Sequence, residues 1–209
     1  APSTGSKALA YLQANDMPTV LVDRMMSEQF DQVGVENIQS TRALVAHLIE
    51  HGHRRIGFIA GRAGLSTTDE RVAGYRDALE AAGLIFDPQL LVSGGSSSAP
   101  ARAATVQLLG LAAPPTAIMA GNNLMTLGAM HALRDAHIEV PGQMALVGFD
   151  DFDWADFFVP RLTLIAQPVN ELGARAVQML LQRMASPAAP AQSVRLAPSL
   201  QYRNSCGCT

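Results

Sequence analysis

The sequence has few of the features that nucleic-acid-binding or membrane-spanning chains need. It carries 15 Lys and Arg against 18 Asp and Glu, a formal net charge of −3. Lys7 is the single lysine, and the arginines are scattered, whereas a nucleic-acid surface usually needs a clustered basic face. No apolar run approaches the roughly 18 residues of a membrane-spanning helix. The composition therefore argues against both a nucleic-acid surface and a membrane span in these residues.

Cysteine is almost as scarce as lysine, since only Cys206 and Cys208 are present, in a terminal Cys-Gly-Cys. This low content favours a reducing compartment, and we expect an unstructured tail here, not a metal or redox site. His51 and His53 flank a helix-ending glycine but lack the third ligand and the spacing of a zinc site. We therefore interpret the stretch that contains these two histidines as a turn with a solvated face. The sequence thus predicts no metal site and no cofactor.

What the chain does have is enough apolar residues for a core. At 209 residues and 48% hydrophobic, mostly Ala, Leu, Val and Met, it can form one large domain or two small lobes. Helices are expected at residues 7–15, 40–51, 67–83, 99–109, 124–134 and 169–185, and strands at 19–24, 33–38, 56–60, 90–92, 116–120, 144–147, 162–166 and 194–202. Residues 1–6 are expected to be a frayed start. The alternation of these elements predicts an α/β fold.

Several of the predicted strands end in polar residues. The stretch MALVGFDDFDW, residues 144–154, reads as a buried strand followed by Asp150 and Asp151. The same pattern occurs in TVLVDR, which ends at Asp23, in RIGFIAGR, which ends at Arg62, and in TAIMAGNN, which ends at Asn122 and Asn123. Open α/β sheets bind ligands at the carboxyl ends of their strands. These strand ends predict one polar site built from several crossovers.

A second candidate feature is the start of the helix after residue 66. Thr67 and Glu70 have the spacing of a capping box, and Arg71 and Tyr75 follow on the same side. A hydroxyl, a helix N-terminus and an arginine would favour an oxygen-rich or anionic ligand. A plain capped surface helix with a solvated arginine fits the spacing equally well.

The loop DDFDWADFFVPRL invites two sharper interpretations that its spacing does not support. A calcium loop fails because the acidic pattern is broken at Ala155 and lacks the required glycine and closing glutamate. A glycosidase centre lacks a convincing second acid on another strand end, apart from Asp23. Nucleotide binding is equally disfavoured, because SGGSSS at 93–98 matches neither phosphate-binding glycine motif. Asp150 is better interpreted as an acceptor for ligand hydroxyl groups.

An ordered set of motifs resembles a known family. These are HLIEHGHRRIGFIAG, ERVAGYRDAL, PTAIMAGNNLMTLGA, VPGQMALVGFDD and PRLTLIAQP. The resemblance covers nearly the whole chain, from Pro18 to about Tyr202. Together they resemble the effector domain of the lactose-repressor (LacI/GalR) family of bacterial transcription regulators. The resemblance implies a two-lobed periplasmic-binding-protein-like fold with parallel sheets flanked by helices. It further implies that the N-terminal lobe is incomplete here and that the helix-turn-helix DNA-binding domain is absent from this chain.

The resemblance also implies how the chain divides into lobes and which residues bind the ligand or contact a second subunit. Residues 1–36 and 167–190 would form the partial N-terminal lobe, and 37–166 with 191–209 the C-terminal lobe. The ligand-binding residues it selects, four of which the residue patterns also favour, are Asp23, Thr67, Arg71, Asn122, Asp150 and Gln167. Ser96 stands near the position where many relatives have a stacking aromatic, and Trp154 or Phe149 could replace that ring. The candidate subunit-contact residues are Met125, Met130, Phe157 and Phe158.

The implied function is a cytoplasmic effector sensor, not an enzyme. A sugar, polyol or sugar acid would bind between the lobes and change the operator affinity of the attached helix-turn-helix domains in a homodimer. A periplasmic sugar receptor of a transport system is the alternative, because it shares the fold. An enzyme acting on sugars is disfavoured, because no nucleophile or acid–base pair is legible.

Overall fold

The computed structural model describes residues 7–208, so the frayed start expected at residues 1–6 lies outside the described residues. The helices are α1 (Lys7–Ala14), α2 (Ile38–Glu50), α3 (Ser66–Ala81), α4 (Ser98–Leu109), α5 (Asn123–Asp135) and α6 (Val169–Ala185). The strands are β1 (Val20–Val22), β2 (Asp31–Val35), β3 (Ile56–Ala60), β4 (Leu91–Ser93), β5 (Ala117–Ala120), β6 (Ala145–Phe149), β7 (Thr163–Ala166), β8 (Ser193–Leu196) and β9 (Ser199–Gln201). Alternating helices and strands confirm the predicted α/β class.

The chain divides into two compact units. The smaller unit contains the described residues through Glu36 together with Leu65–Thr67 and Pro168–Pro198. Its parallel sheet has the strand order β1-β2-β8, and α6 packs on β1 and β2. Leu172 and Met179 are the buried residues of α6, because the apolar stripe of this helix faces the sheet at those positions.

The larger unit contains Asn37–Gly64, Thr68–Gln167 and the residues from Ser199 onward. Its six-stranded sheet has the order β4-β3-β5-β6-β7-β9, with all neighbours parallel except the antiparallel pair β7 and β9. Every residue of β3, β5 and β6 is buried. Because side chains alternate across a strand, such continuous burial means that both faces of the central sheet are covered.

The single closing strand expected at 194–202 is instead two strands in different sheets. Val194 of β8 pairs with Val33 of the smaller unit, whereas Leu200 of β9 pairs with Ile165 of the larger unit. Pro198 lies between them, where its ring and missing N–H disfavour a continuous strand. Residues 191–198 therefore belong to the smaller unit and not, as expected, with the C-terminal segment.

The end of the chain is also more ordered than expected. Ser205 is buried, and its hydroxyl donates to the carbonyl oxygen of Leu146 at 2.5 Å. Cys206 is 1% exposed, accepts a hydrogen bond from the hydroxyl of Thr163 and donates one to the carbonyl oxygen of Arg203, both at 3.2 Å. The prediction of an unstructured tail is wrong for this segment, because its polar groups hydrogen-bond to β6 and β7 of the larger sheet.

Among residues 7–208, none of the helices combines the length and the apolar character that crossing a bilayer requires.

Candidate functional site

Polar residues follow three adjacent parallel strands of the larger unit. In-register pairing of β5, β6 and β7 brings their carboxyl ends to the same edge of the sheet. Asn122, Asp150 and Gln167 follow these three strands. The predicted convergence of strand-end residues at one edge is therefore found in the larger unit, where open α/β sheets place ligand-binding groups.

Arg71, from the second turn of α3, is the centre of this cluster. Its Nε donates to Oδ1 of Asn37 at 2.8 Å, and its Nη1 donates to the carbonyl oxygen of Gly121 at 2.6 Å. The guanidinium carbon lies 3.5 Å from the centroid of the Phe149 ring, within cation–π range. Nη1 also lies 3.8 Å from Oδ2 of Asp150. Contacts from three separate segments thus fix the position of a side chain that is only 8% exposed.

Asp150 faces Arg71 from the end of β6. Its φ angle of 71° lies in the left-handed region, which Asp tolerates better than most residues. The side-chain amide of Gln167 donates a short hydrogen bond to its Oδ1. The carboxylate side chain remains 24% exposed, so the group held by Arg71 and Gln167 is still accessible to a small molecule.

Asn122 caps α5, as the sequence predicts. Its Oδ1 accepts from the backbone N–H of Met125 at 2.8 Å, which satisfies one of the unpaired donors at a helix start. Its Nδ2 donates to the carbonyl oxygen of Ser96 at 3.4 Å. The Ser96 hydroxyl in turn accepts from the backbone N–H of Arg62 at 2.9 Å, after β3. Ser96 therefore lies beside Asn122, with its own hydroxyl holding two loops together.

Asn37 is a site residue that the sequence reasoning missed. It is 2% exposed, accepts from Arg71, and donates through Nδ2 to Oε2 of Glu70 at 2.8 Å. Its sequence context carried a usable signal, because Asn37 stands between a strand and the helix that follows, as Asn122 does. Phe149, considered only as a replacement stacking ring, instead presents its face to the Arg71 guanidinium.

The predicted capping box at the start of α3 is wrong. The helix begins at Ser66, so Thr67 lies inside its first turn and not at the N-cap. Glu70, expected to bond back to the cap, accepts from Asn37. Tyr75 is fully buried, and its hydroxyl donates to the carbonyl oxygen of Ile56 at 2.8 Å, so this residue belongs to the core.

Two of the candidate ligand residues, Asp23 and Thr67, belong to the smaller unit. Asp23 directly follows β1 with a φ angle of 72°, and its backbone N–H donates to the carbonyl oxygen of Val33 at 2.9 Å. Thr67 is 9% exposed. Their roles stay predictions.

The second acid of the loop after β6 has a structural partner. Asp151 accepts from Arg203 at 2.8 and 3.1 Å, and Nε of the same arginine lies 2.6 Å from Asp156. Hydrogen bonding to Asp151 raises the pKa of Arg203 above its usual value, against the effect of burial. Asp151 and Asp156 are thus paired with the C-terminal segment, and Asp150 is the acid that faces Arg71.

Trp154 lies in a different part of the larger unit. Its ring packs on Phe152 at 4.5 Å and on Phe158 at 5.6 Å between centroids. It lines an apolar groove together with Met130 and Phe158, and nearby Phe157 is 85% exposed.

The expectation of a subunit-contact role is wrong for Met125. Its side chain is 1% exposed and belongs to the core cluster that includes Ile118 and Leu146. A residue enclosed in this way has no surface to offer to a second chain. The other three candidates for subunit contact remain at least partly exposed.

The Arg71 cluster has the chemistry of a binding site for hydroxyl groups. It contains one guanidinium, one carboxylate, three side-chain amides and an aromatic face. The guanidinium and the carboxylate can make charge-assisted hydrogen bonds, which are stronger than hydrogen bonds between neutral groups. Aromatic and amide groups orient a ligand without reacting with it.

Comparison with known proteins assigns the fold to a family. The family profile described as a periplasmic binding protein-like domain matches residues 45–206. The structure of a regulatory protein of the LacI family from Chloroflexus aggregans is similar, with a TM-score of 0.89 and 29% identity, over 98% of this chain and 74% of that chain. The chain belongs to the LacI family of periplasmic-binding-protein-like domains.

Other LacI-type relatives are transcriptional regulators as well. The transcriptional repressor CytR of Escherichia coli (strain K12) is 35% identical over 173 residues, which are 82% of this chain and 51% of the repressor. The ribose operon repressor of the same organism is 33% identical, over 90% of this chain and 58% of the repressor. A complex of the transcriptional regulator CelR with cellobiose matches with a TM-score of 0.84 and 34% identity, over 89% of this chain and 58% of that chain. The chain thus spans about half the length of the curated relatives it matches.

Proposed function

We propose that this LacI-family domain senses a sugar-like effector and controls the DNA affinity of the regulator to which it belongs. The observation that carries the proposal is the approach of Arg71 and Asp150 to 3.8 Å at the carboxyl edge of the central sheet. The relatives support the ligand class, since one is the ribose operon repressor and another was solved with cellobiose.

Within the cluster, Arg71 and Asp150 would hydrogen-bond the effector hydroxyls, each contact contributing roughly 1.5–3 kcal/mol. Gln167 would hold the Asp150 carboxylate and offer its own amide, and Asn122 would bind from the start of α5. Asp23 and Thr67 are proposed as further ligand residues, with weaker roles for Ser96 and Trp154. The effector would act by favouring one of two conformations, typically with about 1–3 kcal/mol of coupling.

The proposal extends to the whole protein. We propose that it is a cytoplasmic homodimer, that it contacts operator DNA only through a helix-turn-helix domain outside this chain, and that it catalyses no reaction. The periplasmic receptor of a transport system is the second candidate, because it has the same fold, but the relatives are repressors. The gene sequence upstream of residue 1 separates the two, since a helix-turn-helix supports the regulator and a signal peptide supports the receptor.

The test is a thermal-shift screen of the full-length gene product against sugars, polyols, sugar acids and purines. A ligand that binds the folded state raises the unfolding temperature. At a ligand concentration 100 times the Kd, it adds about 2.7 kcal/mol to the free energy of unfolding. We expect a sugar or a related compound to produce the shift. The Kd of that compound is then measured by calorimetry for the variants.

Two variants and a control assign the site. Asp150→Asn keeps the shape of the side chain and is expected to weaken binding at least tenfold, about 1.4 kcal/mol, because it removes a charged acceptor. Arg71→Ala should abolish the response while circular dichroism remains that of a folded protein. Arg102→Ala, which removes an exposed arginine paired with Asp135, should leave the Kd unchanged. Unaltered binding by both site variants would refute this assignment.

A further inference from the structure

A second cluster of polar side chains lies in the larger unit and contains none of the candidate ligand-binding residues. It consists of two imidazoles from α2 and two thiols from the C-terminal Cys-Gly-Cys: His47, His51, Cys206 and Cys208. Their four ligating atoms all lie within 4.8 Å of one another. Nε2 of His47 is 3.2 Å from Sγ of Cys208, and Nε2 of His51 is 3.0 Å from the same sulfur.

Local structure explains why the four groups meet. His47 and His51 are four residues apart at the C-terminal end of α2, so their side chains lie on the same face of that helix. Gly207 has a φ angle of 89°, a left-handed conformation that turns the chain between the two cysteines. The Tyr202 ring packs on the His47 ring with centroids 4.6 Å apart, which restrains the imidazole. Contacts between α2 and β9 hold the two segments together.

The spacing of these atoms is close to that of a tetrahedral metal site. With Zn–N near 2.0–2.1 Å and Zn–S near 2.3 Å, the ligand atoms of a Cys₂His₂ site lie about 3.3–3.8 Å apart. The separations from Cys208 to the two histidines are slightly shorter than this, and no pair exceeds 4.8 Å. Small side-chain rotations would convert the cluster into a coordination sphere without moving α2.

We propose that His47, His51, Cys206 and Cys208 bind one Zn²⁺ ion. Two thiols and two imidazoles match the borderline-soft character of Zn²⁺, and four protein ligands close a structural site, leaving no position for a reacting water. Binding releases the two thiol protons to solvent, so that two thiolates balance the charge of the ion. Cys206 is buried, and a neutral metal cluster avoids leaving an unpaired charge there.

A bound ion would link two distant parts of the chain. His47 and Cys208 are 161 residues apart in sequence, so the ion would join the end of α2 to the C-terminal segment of the same unit. The cluster shares no residue with the Arg71 site. It would stabilise the fold and leave effector chemistry to the strand ends.

The experiment measures zinc directly. The intact protein is reduced, stripped of metal with a chelator, and titrated with ZnCl₂ in competition with a chromophoric chelator. Replacement by Co²⁺ reports the ligands, because a tetrahedral site with thiolates gives intense ligand-field and sulfur-to-metal charge-transfer bands. We expect one ion per chain and a cobalt spectrum of the two-sulfur, two-nitrogen type.

Two variants and a matched control localise the ion. Cys208→Ser and His51→Ala should each weaken zinc binding by more than about 100-fold. Even mutation of a residue that only hydrogen-bonds to a metal ligand typically lowers metal affinity 10–100-fold. His131→Ala, an exposed histidine on α5, should bind zinc as the parent does. Circular dichroism of all three without metal checks that they fold. No zinc uptake by the parent, equal uptake by the ligand variants, or a Cys206–Cys208 disulfide that persists in reductant would each overturn the proposal.

Discussion

Arginine–carboxylate pairs in this protein differ in how far water reaches them, and this difference sets their contribution to stability. Arg183 holds Asp31 through two hydrogen bonds of 2.7 and 2.9 Å, with side chains 15% and 4% exposed. The backbone N–H of Gln192 also donates to Asp31, at 2.8 Å. In contrast, the pair of Arg102 and Asp135 is 56% and 42% exposed. Buried pairs are strongly destabilising when broken, whereas exposed pairs contribute little.

Asp31→Asn is therefore expected to lower the free energy of unfolding by about 2–3 kcal/mol, below the usual cost of breaking a fully buried pair because Arg183 keeps carbonyl partners. Urea unfolding at pH 7 measures this. Asp135→Asn is the control, with an expected loss below about 1 kcal/mol. Equal losses in the two variants would contradict the burial argument.

The same pair predicts a pH dependence. Hydrogen bonding by Arg183 lowers the pKa of Asp31 below its usual 3.8, and burial opposes this only in part. A carboxyl whose folded pKa is lowered adds stability above the unfolded pKa and loses it as pH falls toward the folded one. Stability lost between about pH 4 and pH 2 should thus be smaller in Asp31→Asn than in the parent, as measured by urea unfolding across that range.

Site residues could be predicted where a strand directly precedes them. Asn122 and Asp150 end apolar runs, so the pattern alone places them at the carboxyl edge of a sheet. Asn37 also stands between a strand and a helix, but its role depends on a contact with Arg71, 34 residues away, and a single sequence does not show that contact. Thr67 was wrongly predicted as an N-cap because the helix begins one residue earlier than the sequence predicted. Helix ends that are predicted from capping patterns are commonly uncertain by one or two residues.

At the scale of elements, the helices of the larger unit approach one another where glycine removes a side chain. A Cβ atom added to Gly128 of α5 would lie 2.3 Å from the carbonyl oxygen of Ser98 and 2.9 Å from Cβ of Ala101, both on α4. Gly173 of α6, in contrast, has no atom within 4 Å of that position. The first glycine serves helix packing, and the second contributes only backbone freedom.

Gly128→Ala and Gly173→Ala should accordingly change stability in opposite directions. The first is expected to cost roughly 1–3 kcal/mol, because α4 must move away from α5. The second should gain about 0.5–1 kcal/mol, because alanine is the better helix former at an open site. Thermal unfolding of the two variants beside the parent provides the comparison, and a shift in the same direction for both would disprove the packing explanation.

At the scale of the whole molecule, the exposed apolar groove beside Phe157 is the surface we propose for the second subunit. Met130 and Phe158 line this groove, and Phe157 presents 85% of its surface. Contiguous exposed apolar side chains of this kind commonly mark interaction surfaces. Met125 is excluded from that surface by its burial.

Phe157→Asp should shift the full-length protein from dimer to monomer, because a charge would be placed on the proposed contact. Light scattering coupled to size-exclusion chromatography measures the mass. Met125→Ala is the contrasting variant, which should lose about 2–5 kcal/mol of stability through a core cavity while the dimer persists. A parent protein that is monomeric at all concentrations would disprove the proposed dimer.

The sequence by itself determined the alternation of helices and strands, the burial of the central strands and the polar residues at their ends, because these follow from local periodicity and turn chemistry. The tertiary structure alone decided that the closing segment divides between two sheets, that Arg71 is held by Asn37 and Phe149, and that two histidines meet two cysteines. These contacts join residues far apart in the chain, and packing, which selects them, leaves no periodic trace in a single sequence.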